Sequence, residues 1–68
     1  MDFDEASVFA MPFGKYRGKT LDTIGSTDEG LRYLDWLVGE CDDHETLVAL
    51  ETYLGDDDVQ AELGRLGL

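Results

Sequence analysis

The sequence predicts an α+β fold, with an N-terminal β-hairpin followed by two to three short helices in one small domain of 68 residues. Two observations carry the prediction. An apolar and aromatic run at residues 6–11 leads into two glycines four apart, the pattern of an extended segment that reverses direction. Beyond residue 20, leucines recur at helical spacing behind hydroxyl or acidic caps.

The elements follow in order. Ala6-Ser7-Val8-Phe9-Ala10-Met11 reads as a strand, and Pro12, which lacks an N–H, suits its end or edge. Phe13 to Leu21 follows, and Gly14 and Gly18, four apart, make it a hairpin turn with a short return strand whose register the sequence leaves open. Thr20 to Ile24 allows one turn of helix closed by Gly25. Ser26-Thr27-Asp28-Glu29 has the S-x-x-E form of a capping box, and Leu31, Leu34, Leu37 and Val38 follow on one face before Gly39. Asp42-Asp43-His44-Glu45 caps the next helix, lined by Leu47, Leu50 and Leu54 and ended by Gly55. Asp56-Asp57-Asp58 opens a last segment, residues 56–68, with Val59, Leu63 and Leu66. Gly64 and Gly67 make it a weak helix.

A chain this short sits near the edge of stability, and one cysteine cannot form an internal disulfide. Large apolar residues must therefore do the burying. The expected core is Phe13, Leu21, Leu31, Leu34, Trp36, Leu37, Leu47, Leu50 and Leu54. Dimerisation is a further route to stability for so small a unit. No apolar run approaches the ~20 residues of a membrane helix, and the acidic start Met1-Asp2-Phe3-Asp4-Glu5 is unlike a signal peptide. These features point to a soluble, cytoplasmic domain that needs no membrane.

Charge is unevenly placed. Five Lys and Arg stand against 16 Asp and Glu, a formal net charge of −11. Yet Lys15, Arg17 and Lys19 alternate within a stretch that holds no acid between Glu5 and Asp22. Removing those three positive charges from −11 leaves −14 on the remainder. On an extended segment all three cations share one face, with Tyr16 between them. Such a patch can pair with phosphates and stack a base, or it can simply solvate a hairpin edge.

Met11-Pro12-Phe13-Gly14-Lys15-Tyr16-Arg17-Gly18-Lys19-Thr20-Leu21, together with Asp28-Glu29-Gly30-Leu31-Arg32-Tyr33-Leu34-Asp35-Trp36-Leu37, resembles a small bacterial and phage domain. That domain stands alone as the quorum-sensing-regulated virulence factor family, and is similar to the C-terminal accessory domain of exodeoxyribonuclease X-like nucleases. The shared pattern is an F-G-K-[YH]-[KR]-G-K turn and a later Y-L-x-W-L helix, over roughly residues 8 to 54. In the nuclease-linked members the catalytic carboxylates lie in a separate domain. The resemblance thus implies a non-catalytic accessory role, contacting DNA or a DNA-processing protein. Lys15, Tyr16, Arg17 and Lys19 are the implied contact residues, and Gly14 and Gly18 form the turn. This chain departs from the pattern in its acidity.

Other motifs carry less. Cys41 and His44 form a C-x-x-H pair, but the other ligands of a structural zinc site would have to be carboxylates. Asp42 and Asp43 beside Cys41 disfavour a thiolate nucleophile. Asp56-Asp57-Asp58 lacks the alternation and the glycine of an EF-hand loop. No cofactor, metal or catalytic residue is expected. The domain reads as an accessory module touching nucleic acid or a DNA-processing enzyme, or else as a protein-interaction or dimerisation domain. Its acidity fits adaptation to high salt, with DNA mimicry as the more demanding account.

Self-repulsion among the acids should be relieved by screening. The melting temperature is expected to rise from millimolar to molar salt, by about 4–8 °C for each kcal/mol of repulsion removed. A melting temperature that is flat or falls over that range contradicts this.

Overall fold

Every helix in this chain starts on a side-chain cap, and the caps fix the architecture. The computed structural model describes residues 1–68 and contains five helices: α1 (Phe3–Ser7), α2 (Leu21–Ile24), α3 (Asp28–Val38), α4 (His44–Leu54) and α5 (Asp57–Arg65). Asp2, Thr20, Thr27, Asp43 and Asp56 are the N-caps, and each accepts a backbone N–H from the first turn. All five first turns also carry Asp or Glu, at the positive end of the helix dipole. Asp43 shows the effect most clearly. Its carboxylate accepts from Thr46 Oγ1 at 2.6 Å and Thr46 N at 3.0 Å, which holds its pKa below the usual value.

The fold is mainly helical, not α+β, and the expected N-terminal hairpin does not exist as a sheet. Helix α1 takes Ala6 and Ser7 from the expected strand, because the Asp2 carboxylate accepts the Glu5 N–H at 2.8 Å and starts a helix just ahead of it. Phe3 then stacks on Tyr53, with centroids 5.5 Å apart and rings 12° from parallel. Only Ala10 and Thr20 form an antiparallel bridge. Three hydrogen bonds flank it: Met11 N to Lys19 O at 2.9 Å, Gly18 N to Met11 O at 2.9 Å, and Leu21 N to Phe9 O at 3.1 Å. Two chain segments therefore meet antiparallel, but the pairing stops before either becomes a strand. The α3 cap also lies one residue later than the capping-box pattern implies. Thr27 accepts from Gly30 N, while Ser26 Oγ donates back to Thr23 O at 2.6 Å.

Helix α4 is the hub, packed against α1, α3 and α5, while α2 bridges α1 and α3. The core gathers Met11, Leu21, Ile24, Leu31, Leu34 and Leu37 from the first half against Ala49, Leu50, Tyr53 and Leu54 of α4. Val59 and Leu63 of α5 complete it. Gly30 is required where α2 hands over to α3, since a Cβ there would overlap the Ile24 carbonyl. The C-terminus is tied as well: Gly67 takes φ +83°, Leu68 N bonds Leu63 O at 2.9 Å, and Arg65 bonds Asp28 of α3 at 2.8 Å. No helix is long and apolar enough to cross a membrane.

Three expected core residues lie elsewhere. Phe13 is 37% exposed and Trp36 59%, while Leu47 is half-buried outside the core cluster. Phe13 lies in the loop between α1 and α2, and for the two helical residues the reason is angular. Two residues along a helix turn the side chain by about 200°, so Trp36 stands opposite Leu34. In α4 the inward face is set by Thr46, Ala49, Leu50, Tyr53 and Leu54, which leaves Leu47 at its margin. Leu34→Ala is therefore expected to cost about 2–5 kcal/mol, and Trp36→Ala about 1 kcal/mol or less. Urea midpoints of the two variants measure this, and equal losses would overturn the placement.

Candidate functional site

The segment between Met11 and Lys19 folds as a closed loop whose base is pinned from inside. Met11 is 1% exposed, and its backbone bonds to Lys19 and Gly18 join the two ends. Between them the chain makes two tight turns, Arg17 N to Gly14 O at 3.2 Å and Lys19 N to Tyr16 O at 3.0 Å. Gly14 and Gly18 sit at φ +82° and +85°, a region open to glycine and costly for other residues, so their turn-forming role matches the structure. The loop is not extended, and the alternation of Lys15, Arg17 and Lys19 therefore does not make a single charged face.

Lys15 folds back onto α3 instead. Its ammonium donates to Glu29 Oε1 at 3.1 Å and lies 5.2 Å from the Tyr16 ring centroid and 5.9 Å from that of Tyr33. The bond to Glu29, and then the electrostatic influence of the neighbouring Tyr16, raise the Lys15 pKa above its ordinary value. Lys15 thus belongs to the internal joinery of the site. Arg17, Lys19 and Arg32 are exposed and make no ion pair.

Aromatic rings continue the joint. Tyr16, half-buried against the core, lies 4.9 Å from Tyr33 at 58°. Tyr33 in turn lies 5.9 Å from Trp36 at 42°. Gly14 fits beneath this row only because it has no side chain: a Cβ there would stand 2.7 Å from Tyr33 Oη. The turn block at residues 13–19 and the helix block at 33–37 consequently form one surface. It runs from the unpaired Arg17 and Lys19 across Tyr16 and Tyr33 to the exposed Trp36.

Two contacts of the site depend on the fold rather than on local pattern. Glu29 pairs with Lys15 across 14 residues, which no local pattern announces. Tyr33 was visible within its motif, but its role as the bridge between the two blocks needs the fold. Trp36, expected inside, is instead 59% exposed on the face. Comparison with family models, with curated proteins and with solved structures finds no match for the chain.

Gly14→Ala and Gly18→Ala separate the two functions of the loop glycines. Both meet the same backbone penalty, about 1–2 kcal/mol. Only Gly14→Ala also pushes on Tyr33, since nothing lies within 4 Å of a Cβ at Gly18. Gly14→Ala should be the less stable variant and the only one to move the Tyr33 ring resonances. Equal costs with Tyr33 unmoved would contradict the packing described.

Proposed function

We propose that the chain is a non-catalytic accessory module that docks on a DNA-processing protein through the face built by the loop and α3. The observation that carries this is the convergence of two separate sequence blocks onto one surface with a largely exposed tryptophan, 59% accessible. Trp, Tyr and Arg are the residue types that dominate interface energetics. Covering an indole contributes roughly 2–3 kcal/mol, whereas an exposed ion pair contributes about 0.2–1 kcal/mol. The aromatic contact therefore outweighs what Arg17 and Lys19 can supply.

Charge favours the same choice. A net charge of −11 attracts a basic surface, of the kind that DNA-handling proteins present to phosphate, and repels a free polyanion. The resemblance to nuclease-linked accessory domains points the same way. Direct contact with nucleic acid is the second reading, favoured by the unpaired Arg17, Lys19 and Arg32 beside stackable rings.

Nuclease-treated extracts of the native host, cross-linked to wild-type protein, should yield a DNA-processing enzyme. Its recovery should fall at least about tenfold with Trp36→Ser and change little with Arg17→Ala/Lys19→Ala. Direct nucleic-acid binding would replace this reading if an oligonucleotide binds at low salt with a log–log slope of about −1.4 for two phosphates and is lost in the double variant. Recovery that is indifferent to Trp36 and no oligonucleotide binding would remove both.

A further inference from the structure

A groove of about 460 Å³ opens where all five helices meet, and it shares no residue with the loop–α3 face. Its apolar floor is Phe3 of α1, Leu31 of α3, Tyr53 of α4 and Val59 of α5. Its rim is acidic: Asp22 on α2, and Asp56, Asp58 and Glu62 around the start of α5. No lysine or arginine lines it. Arg65 touches the rim from outside, donating to Glu62 Oε2 at 2.8 and 3.0 Å, and Asp56 is occupied in capping α5. Asp22 and Asp58 remain without a cationic partner.

Tyr53 supplies an observation independent of the acids. The residue is only 5% exposed, and its hydroxyl makes no hydrogen bond in the protein. No fully buried side-chain polar atom is left unpaired, so Tyr53 Oη must reach the open space of the groove. Gly25 makes room for it, because a Cβ at that position would overlap the hydroxyl oxygen. Burial, reinforced by the charges of Asp22 and Asp56, pushes the Tyr53 pKa up and keeps a neutral hydroxyl able to donate or accept.

We propose that this groove seats the guanidinium side chain of an arginine in a partner polypeptide. The acids on its rim exclude an anion and make a purely apolar ligand costly to seat. Nowhere do three Cys, His, Asp or Glu residues gather closely enough to hold a metal ion, which leaves an organic cation. A guanidinium suits the aromatic floor and carboxylates on two sides better than an ammonium does. It is planar, weakly hydrated, stacks on rings, and offers five N–H donors in a fixed fork. The volume lies in the range that encloses a small ligand or one long side chain. The inference stands apart from the docking of the loop–α3 face, since the two surfaces share no residue.

Amide chemical shifts of the full chain test it, with acetyl-Gly-Arg-Gly-amide as the probe and the isosteric, uncharged citrulline tripeptide as the control. The arginine peptide should shift Gly25, Tyr53 and Val59, and the citrulline peptide should not. Asp22→Asn/Asp58→Asn, whose native spectrum elsewhere reports that it is folded, should weaken binding at least about tenfold. Tyr53→Phe offers a second variant and should weaken binding by removing only the hydroxyl. Absent groove shifts, equal shifts from citrulline, an unchanged dissociation constant in the folded double variant, or groove shifts from spermidine alone would each overturn the assignment.

Discussion

The packing of α1, α3 and α5 around α4 is the contact on which everything else rests. A chain of 68 residues without a disulfide has little core to spare, and α4 commits Ala49, Leu50, Tyr53 and Leu54 to it. Tyr53 is engaged on two sides. It stacks on Phe3, which anchors α1, and it leaves a hydroxyl in the acidic groove. The loop–α3 face depends on the same hub one step removed, because α3 can hold Tyr33 outward only while Leu31, Leu34 and Leu37 are held inward.

The acidity that dominates the composition has a structural use at the helix starts. Three of the five caps are aspartates, and each first turn adds further acids where the helix dipole favours them. Part of a burden of −11 is thereby turned into local stabilisation. The opposite ends gain nothing comparable, for Arg65 of α5 is the only basic residue in any last turn. Arg65 also bonds Asp28 of α3, so this one cation serves both a helix end and a contact between elements.

Much of the helical part was legible in the sequence because caps are local. Thr20, Asp43, Asp56 and the glycines at 25, 39 and 55 mark boundaries that the structure places within a residue or so. The first helix was missed for the same local reason read the wrong way. Asp2 and Glu5 looked like bare charge when they were a cap and a first turn, and Val8 and Phe9 gave a strand signal too short to build one. Size alone puts Phe13 and Trp36 inside, but Trp36 lies on the outer side of α3, where angle decides burial, and Phe13 lies in the loop, outside every helix. The turn glycines were readable from spacing. The internal pairing of Lys15 with Glu29, and the groove assembled from five helices, depend on contacts distant in sequence and could not be read there.

The exposed position of Trp36 also governs how this protein can be watched. Its indole is the only one in the chain and already faces water in the folded state, so its emission colour changes little when the chain unfolds. Tyr33 and Tyr16 stand in sequence behind it, 5.9 and 4.9 Å from ring to ring. Light absorbed by Tyr16 passes to the indole while the loop rests on α3, and that contribution weakens when the loop lifts away, whereas Tyr33 shares α3 with the indole and keeps its distance. Excitation transfer along the aromatic row, rather than tryptophan colour, is therefore the intrinsic optical signal of an assembled face.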